Sequence, residues 1–458
     1  MPSARGNSVA PRFEAALRNN RAFVFRRRDG RAVAALDRLE AAVLKLRADL
    51  SPGETRSILA AAAGDAADAI VQRVEHRFGA LMTPPAGISV PFPLERLMTI
   101  DGARGSHGLR DLPGPRVLHW TVTRYCPRKC VYCYAEPLAG GQALDSVIGR
   151  AELANVFEEA ASLGAQHFVV SGSEPFLRPD LPEIMGDAIR CGITPFVTTK
   201  HPLTRDLARR LAQAGMQHIS ISFETVSEEL SFQMIGSRRY PDQVRQSAAN
   251  LRDAGIQFSI QAVATRLNLT GLPEVARFAS DSKALVLQIV PFEAVRQPLT
   301  AQGNSDMAVE DLEELHAVVE RLSREYPDLR VELFDKSEGG APYHCDIGMT
   351  KMFFLPDGTV HRCYKLADDA GLSGKNLRTC SVAEAWHDPM FGAVISPPRE
   401  LYAGSGCGAC GRFENCHDDG RCIYQASVDW NSYYAPDRAC GGPFPARSSE
   451  LVSIAAAQ

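Results

Sequence analysis

From residue 116 onward, short apolar runs alternate with helical patterns six times. The helical segments between the runs, such as 150–163 and 181–191, end beside glycines suited to left-handed C-caps, Gly164 and Gly192. The predicted strands span residues 117–123, 167–171, 194–199, 218–223, 258–264 and 285–290. This alternation predicts an α/β fold built as a partial (β/α)6 barrel, with functional groups after the carboxyl ends of the strands.

The segments on either side of the barrel have different patterns. Near the N-terminus, two strands over 21–25 and 32–36 are joined at Asp29-Gly30, and helices are predicted over 38–50, 52–63 and 65–82. The chain is therefore divided into a small N-terminal unit (1–82), a linker rich in Pro and Gly (83–115), the barrel (116–334), a loop-rich cysteine domain (335–445) and a tail (446–458).

The charge and the apolar patterning limit the partners of the chain. Its net charge is −4 and its pI is about 6.3, which gives no reason to expect a nucleic-acid partner. No signal-like apolar segment is seen near Met1, and the apolar stretch 58–71 is interrupted by Asp65 and Asp68. A cytoplasmic protein with no membrane partner is expected.

Twelve cysteines are unevenly placed along the chain. Three lie within 126–133, Cys191 stands alone, and eight lie within 345–440. In a reducing compartment such crowding favours metal binding over disulfides. Cys191, at the end of a predicted helix, is expected to be an ordinary buried thiol.

The first group, Cys126-Pro-Arg-Lys-Cys130-Val-Tyr-Cys133, follows the first predicted strand of the barrel. Three thiolates on one loop hold three corners of a [4Fe–4S] cluster and leave the fourth iron open to a small molecule. The alternatives are a zinc knuckle, which needs a fourth ligand, or three structural thiols.

This loop resembles that of the radical S-adenosylmethionine superfamily, C-x3-C-x-aromatic-C, with Tyr132 at the aromatic position. The resemblance implies reductive cleavage of S-adenosylmethionine to a 5′-deoxyadenosyl radical, which abstracts a hydrogen from the substrate. It further implies that Cys126, Cys130 and Cys133 hold the catalytic cluster.

The ends of two other strands also resemble that family. Ser171-Gly172-Ser173-Glu174-Pro175 is similar to its Gly-Gly-Glu-Pro, with Ser173 in place of the second glycine. The resemblance implies that Glu174 binds the amino group of S-adenosylmethionine. The other residues that it assigns to this cofactor are Tyr132, Gly172, Ser173, Ser222, Glu224 and Arg239.

Several of these positions keep a plainer explanation. Ser222 and Glu224 are also typical of polar residues at a strand end, and Arg266 is either a carboxylate partner or a surface arginine. The family's Thr-Asn-Gly is replaced by Thr199-Lys200-His201. Lys200 and His201 are candidates for substrate contact, although exposure to solvent in a loop is the favoured interpretation.

Seven of the C-terminal cysteines resemble the SPASM domain, which holds auxiliary clusters in peptide-modifying radical enzymes. The pattern is C-x12-G-x4-C around Gly358, then C-x2-C-x5-C-x5-C and a last cysteine, with five residues instead of three in the final spacing. The resemblance assigns Cys345, Cys363 and Cys422 to an inner auxiliary cluster, and Cys407, Cys410, Cys416 and Cys440 to an outer one.

The inner set has only three thiolates, so its cluster has an open iron, is smaller, or uses a ligand other than cysteine. Cys380 is a candidate fourth ligand, but its position does not match the family's. The alternative for the whole region is a zinc ribbon, because C-x2-C pairs are common in zinc sites.

The N-terminal unit resembles the PqqD-like winged-helix domain, which binds the leader of a precursor peptide by strand addition. Arg26, Arg27, Arg28 and Arg31 near its hairpin suit an acidic leader, or form a solvated basic face of a packing or dimerising domain.

Taken together, these resemblances imply a peptide-modifying enzyme. It carries S-adenosylmethionine and three iron–sulfur clusters, receives electrons from a donor such as flavodoxin or ferredoxin, and forms a thioether or carbon–carbon crosslink in a precursor peptide. The alternatives are a maturase of a protein or small molecule with the same clusters, and a non-catalytic zinc-binding winged-helix regulator.

Overall fold

The computed structural model describes residues 13–18, 21–26, 31–36, 40, 43–44, 52–63, 67–82, 112–133, 147–292, 309–334, 345, 347–366, 369–395, 397–411, 413, 422–436 and 440. The predicted tail and all but residues 112–115 of the predicted linker lie outside those ranges.

The N-terminal unit contains an antiparallel sheet in the order β1-β2-β3, with strands β1 (Phe13–Arg18), β2 (Arg21–Arg26) and β3 (Arg31–Leu36). The predicted hairpin is present as β2 and β3. β1 was not predicted, because its alanines do not favour a strand in isolation and pairing with β2 decides its conformation. Helices α1 (Pro52–Ala63) and α2 (Ala67–Met82) follow.

The part of the predicted helix over 38–50 that the structure describes is limited to Glu40, Val43 and Leu44. All three are helical and buried. The remainder of that prediction lies outside the described residues.

All six predicted barrel strands are present and pair in chain order as parallel neighbours. Each run is short and rich in branched side chains that pack on the helices, which is typical of buried parallel strands. The strands are β4 (Val117–Thr121), β5 (His167–Ser171), β6 (Thr194–Thr199), β7 (His218–Ser222), β8 (Gln257–Ala264) and β9 (Val286–Pro291).

The two helices predicted over 150–163 and 181–191 agree with the structure to within one residue. Gly164 and Gly192 follow helices with positive φ, as predicted for C-caps. The helices are α3 (Arg150–Ser162), α4 (Leu181–Arg190), α5 (Arg205–Gln213), α6 (Glu228–Ile235), α7 (Tyr240–Asp253), α8 (Leu272–Asp281) and α9 (Val309–Glu325).

The sheet continues beyond the barrel on both sides. β10 (Arg330–Leu333) extends it next to β9, and β11 (Lys351–Phe354) pairs in parallel with β4. β12 (Thr359–His361) and β13 (Ser373–Asn376) complete an order of β10-β9-β8-β7-β6-β5-β4-β11-β12-β13. The cysteine-rich segment therefore continues the main sheet.

The core joins the barrel to this segment. Trp120 stacks between Phe168 of β5 and Phe354 of β11, with ring centroids 6.1 and 6.2 Å away. Trp386 is fully buried in the same core, on the short helix α10 (Val382–Trp386). β4 is therefore held from both sides, which fixes the direction of the loop that leaves its end.

Two further helices of the C-terminal segment are α11 (Pro389–Ile395) and α12 (Ile423–Trp430). Among the helices within the described ranges, none combines the length and the apolar character that crossing a membrane requires.

Candidate functional site

The three-cysteine loop, residues 126–133, is anchored by the last turn of α6. Carbonyl groups in the last turn of a helix lack partners within the helix. Here Met234 O accepts from Val131 N at 2.9 Å, and Ile235 O accepts from Lys129 N at 3.4 Å. Gly236, at φ 76°, ends the helix and releases these carbonyls to the loop.

Arg128, inside the loop, adds side-chain anchors. Its guanidinium donates to Gln243 Oε1 at 2.9 Å and to Lys200 O at 3.3 Å, and it lies over the Tyr240 ring at 4.8 Å. Together with the main-chain bonds, these contacts position the loop.

The three thiols of this loop lie close enough to influence one another's charge. Burial raises the pKa of Cys130 to about 12, and the charges of Glu224, Cys133 and Cys126 act in the same direction. Burial also raises the pKa of Cys126. Such thiols keep their protons until a metal replaces them, so metal binding here releases protons.

Glu174 is buried next to this loop and is nearly saturated with donors. Its Oε1 accepts from Thr199 Oγ1 at 2.6 Å and from Phe176 N at 3.3 Å, and its Oε2 accepts from Lys200 N at 3.0 Å. A carboxylate offers about four lone-pair positions, so one remains on Oε2. The carboxylate can therefore accept one more donor, such as an ammonium group.

Gly172 and Ser173 bring Glu174 to that position. Gly172 has a φ of +111°, and a Cβ there would lie 2.6 Å from Thr123 O. Ser173 N donates to the same carbonyl at 3.0 Å. Only glycine permits this close approach, whereas at the next position the chain tolerates Ser173.

A second buried carboxylate, Glu224, lies at the end of β7. Its Oε1 accepts from Lys200 Nζ at 3.1 Å, and this ammonium lies 5.3 Å from the centroid of the Tyr132 ring. Glu224 Oε2 and the Tyr132 hydroxyl are buried next to each other. Burial raises the pKa of Tyr132, and the charges of Cys130 and Glu224 act in the same direction. A buried carboxylate oxygen at this position can accept from a hydroxyl group of a bound molecule.

The interpretation of Lys200 as an exposed loop residue was wrong. Its side chain is 12% exposed, because the loop turns it inward against Glu224. His201 is half-buried, and burial lowers its pKa. Arg266 pairs with Asp311 at 2.5 Å, so its carboxylate partner belongs to the protein.

Two other predicted cofactor residues have different surroundings. Ser222 is buried, and its carbonyl accepts from the Tyr240 hydroxyl. Arg239 is exposed at the N-cap of α7. No contact among the described residues joins it to Glu174 or Glu224.

The three thiols predicted for the inner cluster are also brought together. Burial raises the pKa of Cys363 to about 12, with further contributions from Cys345 and Cys422. Cys363 N donates to His361 Nδ1 at 3.1 Å, while His361 Nε2 donates to Asp369 O at 2.9 Å. The fully buried His361 therefore fixes the turn that carries Cys363.

In the outer set, Cys407 and Cys410 form one turn. Arg399 donates to Gly408 O and Cys410 O, each at 3.1 Å. Cys440 is partly buried, and Cys416 lies outside the described residues.

Cys191 and Cys380 lie apart from these sets. Cys191 caps α4 and is partly exposed, so the expectation of full burial was too strong. The charged groups that affect the pKa of Cys380 include Glu384 and Lys375 but none of the predicted ligand thiols. Among the described residues, no three His, Cys, Asp or Glu side chains are arranged to hold a single metal ion.

Lys200 and Arg128 are the site residues that sequence reasoning undervalued. Lys200 departs from the family pattern, and this departure was the available signal. For Arg128, the only signal was a basic residue between two cysteines, which does not reveal its partners on α7 and at Lys200.

Comparison with known proteins agrees with this site. The model of the "Radical SAM superfamily" matches residues 120–279. A PqqA peptide cyclase of Methylocella silvestris is 28% identical over 336 residues, covering 70% of this chain and 85% of that protein. A PqqA peptide cyclase of Rhizobium meliloti is 27% identical over 297 residues, covering 62% and 78%.

Solved structures share the fold. Streptococcus suis SuiB bound to S-adenosylmethionine has a TM-score of 0.61 at 16% identity, covering 95% of this chain and 100% of SuiB. Native anSMEcpe with bound AdoMet has a TM-score of 0.52 at 16% identity, covering 70% and 94%. The end of β4, the strands β5 to β8, the three-cysteine loop and Glu174 fall within residues 120–279, the segment that the radical SAM model matches.

Proposed function

We propose that this protein is a radical S-adenosylmethionine enzyme that modifies a ribosomally made precursor peptide by hydrogen abstraction and crosslink formation. The observation that carries the proposal is the position of Glu174, whose remaining acceptor site lies beside the anchored three-cysteine loop. This pairing suits a cofactor that carries an ammonium group and also binds an open iron.

The residues of the chain have separate roles in this proposal. Cys126, Cys130 and Cys133 hold the catalytic [4Fe–4S] cluster, which supplies the electron that cleaves S-adenosylmethionine into the hydrogen-abstracting radical. Glu174 binds the ammonium group of that cofactor. Glu224 Oε2 is the buried acceptor for a ribose hydroxyl.

The peptide substrate is inferred from the relatives. Proteins named PqqA peptide cyclase match most of the chain. The structure of SuiB bound to its precursor peptide SuiA superposes on this chain with a TM-score of 0.60. The sheet β1-β2-β3 has two edge strands, β1 and β3, and strand addition to such an edge is a common way to bind an extended peptide. We assign the leader of the precursor to this PqqD-like unit.

The auxiliary clusters of a SPASM domain complete the proposal. Cys345, Cys363 and Cys422 hold the inner cluster, and the outer one is held by Cys407, Cys410, Cys416 and Cys440. Clusters held there would supply an acceptor for the electron left after bond formation, and a flavodoxin or ferredoxin would be the donor to the catalytic cluster.

The test uses anaerobically purified protein with S-adenosylmethionine, a reductant and a short peptide encoded beside the gene. We expect 5′-deoxyadenosine and a peptide that has lost hydrogen mass. Cys126→Ala is expected to abolish both products and to keep the auxiliary iron, whereas Cys191→Ala keeps full activity. Continued 5′-deoxyadenosine formation by Cys126→Ala would contradict the assignment.

Peptide binding is tested by deleting residues 1–82. The deletion is expected to weaken precursor binding at least tenfold and to leave cleavage of S-adenosylmethionine without peptide intact. Equal affinity of the deleted and full-length proteins for the precursor would exclude leader binding by this unit.

A further inference from the structure

A buried ammonium group lies in front of the three-cysteine loop. Lys200 Nζ donates to Glu224 Oε1 at 3.1 Å and lies 5.3 Å from the ring centroid of Tyr132, the residue between Cys130 and Cys133. Because the Lys200 side chain is only 12% exposed, water screens its charge weakly.

The backbone of Lys200 keeps this charge in place. Its N–H donates to Glu174 Oε2 at 3.0 Å, and its carbonyl accepts from Arg128, which belongs to the three-cysteine loop, at 3.3 Å. The backbone of Lys200 thus connects the Glu174 carboxylate to the three-cysteine loop. These two hydrogen bonds fix the position of the main chain from which the ammonium group extends.

The charge of Lys200 reaches each of the three thiols. It acts to lower the pKa of Cys126 and Cys130, although burial has the larger effect on both. The 3.1 Å contact with Glu224 Oε1 pairs the buried ammonium with a carboxylate, which stabilises its charged form.

A fixed positive charge favours the more negative state of a neighbouring redox centre. When a cluster on three thiolates takes up one electron, its net charge becomes more negative by one. In a buried site of low effective dielectric constant, a cation stabilises this reduced form more than the oxidised form. A cation here therefore raises the reduction potential.

We propose that Lys200 sets the reduction potential of the catalytic cluster through its buried ammonium group. The inference rests on the cluster proposed above for Cys126, Cys130 and Cys133. One electron passes from the external donor to the cluster, and Lys200 neither gains nor loses a proton. Glu224 holds the ammonium in place and partly offsets its charge.

The experiment compares Glu224→Gln with the double variant Lys200→Met/Glu224→Gln. Starting from Glu224→Gln avoids leaving a buried carboxylate unpaired when Lys200 is removed. Potentiometric titrations followed by electron paramagnetic resonance are run without S-adenosylmethionine. The catalytic signal is the one lost from Cys126→Ala/Cys130→Ala/Cys133→Ala.

We expect the double variant to have a lower potential than Glu224→Gln. At a fixed potential the ratio of oxidised to reduced cluster should rise at least tenfold, which corresponds to about 59 mV for one electron. Lys129→Met/Glu224→Gln is the matched control, because it removes a lysine of the same loop whose side chain is exposed. It should keep the potential of Glu224→Gln.

Equal potentials in Glu224→Gln and Lys200→Met/Glu224→Gln, with equal catalytic signal per chain, would overturn the proposed role of Lys200 and leave the cluster assignment standing. A signal unaffected by the triple cysteine substitution would instead contradict the proposed cluster. If the double variant failed to retain the cluster, Lys200→Gln/Glu224→Gln, which keeps a polar side chain at position 200 without its charge, takes its place and should show the same lower potential than Glu224→Gln.

Discussion

At the scale of single residues, the site depends on buried polar groups that are almost completely satisfied. Glu174 receives three hydrogen bonds, from Thr199, Phe176 and Lys200, and keeps one acceptor position. Because Glu174 is buried, the loss of any of these hydrogen bonds would destabilise the site, since water cannot replace a missing donor.

Replacing Glu174 with glutamine removes the negative charge while keeping the shape of the side chain. We expect at least tenfold weaker binding of S-adenosylmethionine, since a hydrogen bond to a charged group contributes about 1.5–3 kcal/mol. Equilibrium binding to anaerobic protein measures this affinity. Glu228→Gln, at an exposed position on α6, is the control and should bind normally; an unchanged affinity in Glu174→Gln would remove its assigned role.

The role of a single residue in the site could be predicted only where a motif follows a strand. Glu174 was singled out because Ser-Gly-Ser-Glu-Pro lies at the end of β5, whereas its burial was not predicted. Lys200 was interpreted as exposed, because its burial depends on Glu224, which lies 24 residues later and meets it only after β6 and β7 pair. Local sequence carries no record of such a contact.

At the scale of elements, loops and helix pairs hold the site in shape. The turn after β5 needs the positive φ of Gly172, where an added Cβ would lie 2.6 Å from Thr123 O. Gly172→Ala is expected to destabilise the protein by about 1–3 kcal/mol and to weaken S-adenosylmethionine binding at least tenfold, because the turn displaces Glu174.

Gly192→Ala is the control that separates backbone strain at a positive φ from steric overlap of the added Cβ with its neighbours. Gly192 also has a positive φ, +79°, but an added Cβ would meet no atom within 4 Å. It should lower stability by about 1 kcal/mol and leave cofactor affinity unchanged. Equal cofactor affinities for Gly172→Ala and Gly192→Ala would show that the turn after β5 does not position Glu174.

Asp187 of α4 ties that helix to α3. Arg150 donates to its two carboxylate oxygens at 2.6 and 2.8 Å, and this contact with Arg150, together with Arg190, holds the pKa of Asp187 below its usual range. The stabilisation is therefore complete above the unfolded-chain pKa of about 3.9 and is lost as the pH falls through the lower folded pKa.

Asp187→Asn should lower the free energy of unfolding by about 1 kcal/mol at neutral pH, since both arginines are partly exposed. The difference from the unsubstituted protein should shrink as the pH falls below about 4. Urea unfolding followed by circular dichroism measures it. Asp206→Asn, from an exposed pair with Arg209, should change little, and an equal loss in both variants would contradict the prediction.

Element boundaries were predicted well inside the barrel and less well outside it. β5 and β6 match the sequence prediction because their branched residues fill a buried sheet. β10 was missed because Arg330 and Glu332 interrupt its apolar pattern. β11 was missed because its pairing with β4 cannot be predicted from the neighbouring sequence. These strands form through partners that are distant in the chain.

At the scale of the whole molecule, the proposed function assigns three sets of thiols to centres with separate tasks. Cys363→Ala is expected to remove about four iron atoms per chain, the content of one cubane, while the catalytic signal stays. Cys380→Ala should leave the iron content unchanged. Iron and sulfide analysis of the two purified variants measures this difference. A loss of iron from Cys380→Ala would identify Cys380 as a cluster ligand.

The pairing of β4 with β11 has a consequence for how the protein is made. β4 leads into the three-cysteine loop, yet one of its edges pairs with residues 351–354, which are synthesised more than two hundred residues later. Until then the nascent chain presents an open apolar strand edge, which favours association with other chains. Folding of the barrel is therefore expected to finish only after residues 351–354 have been synthesised.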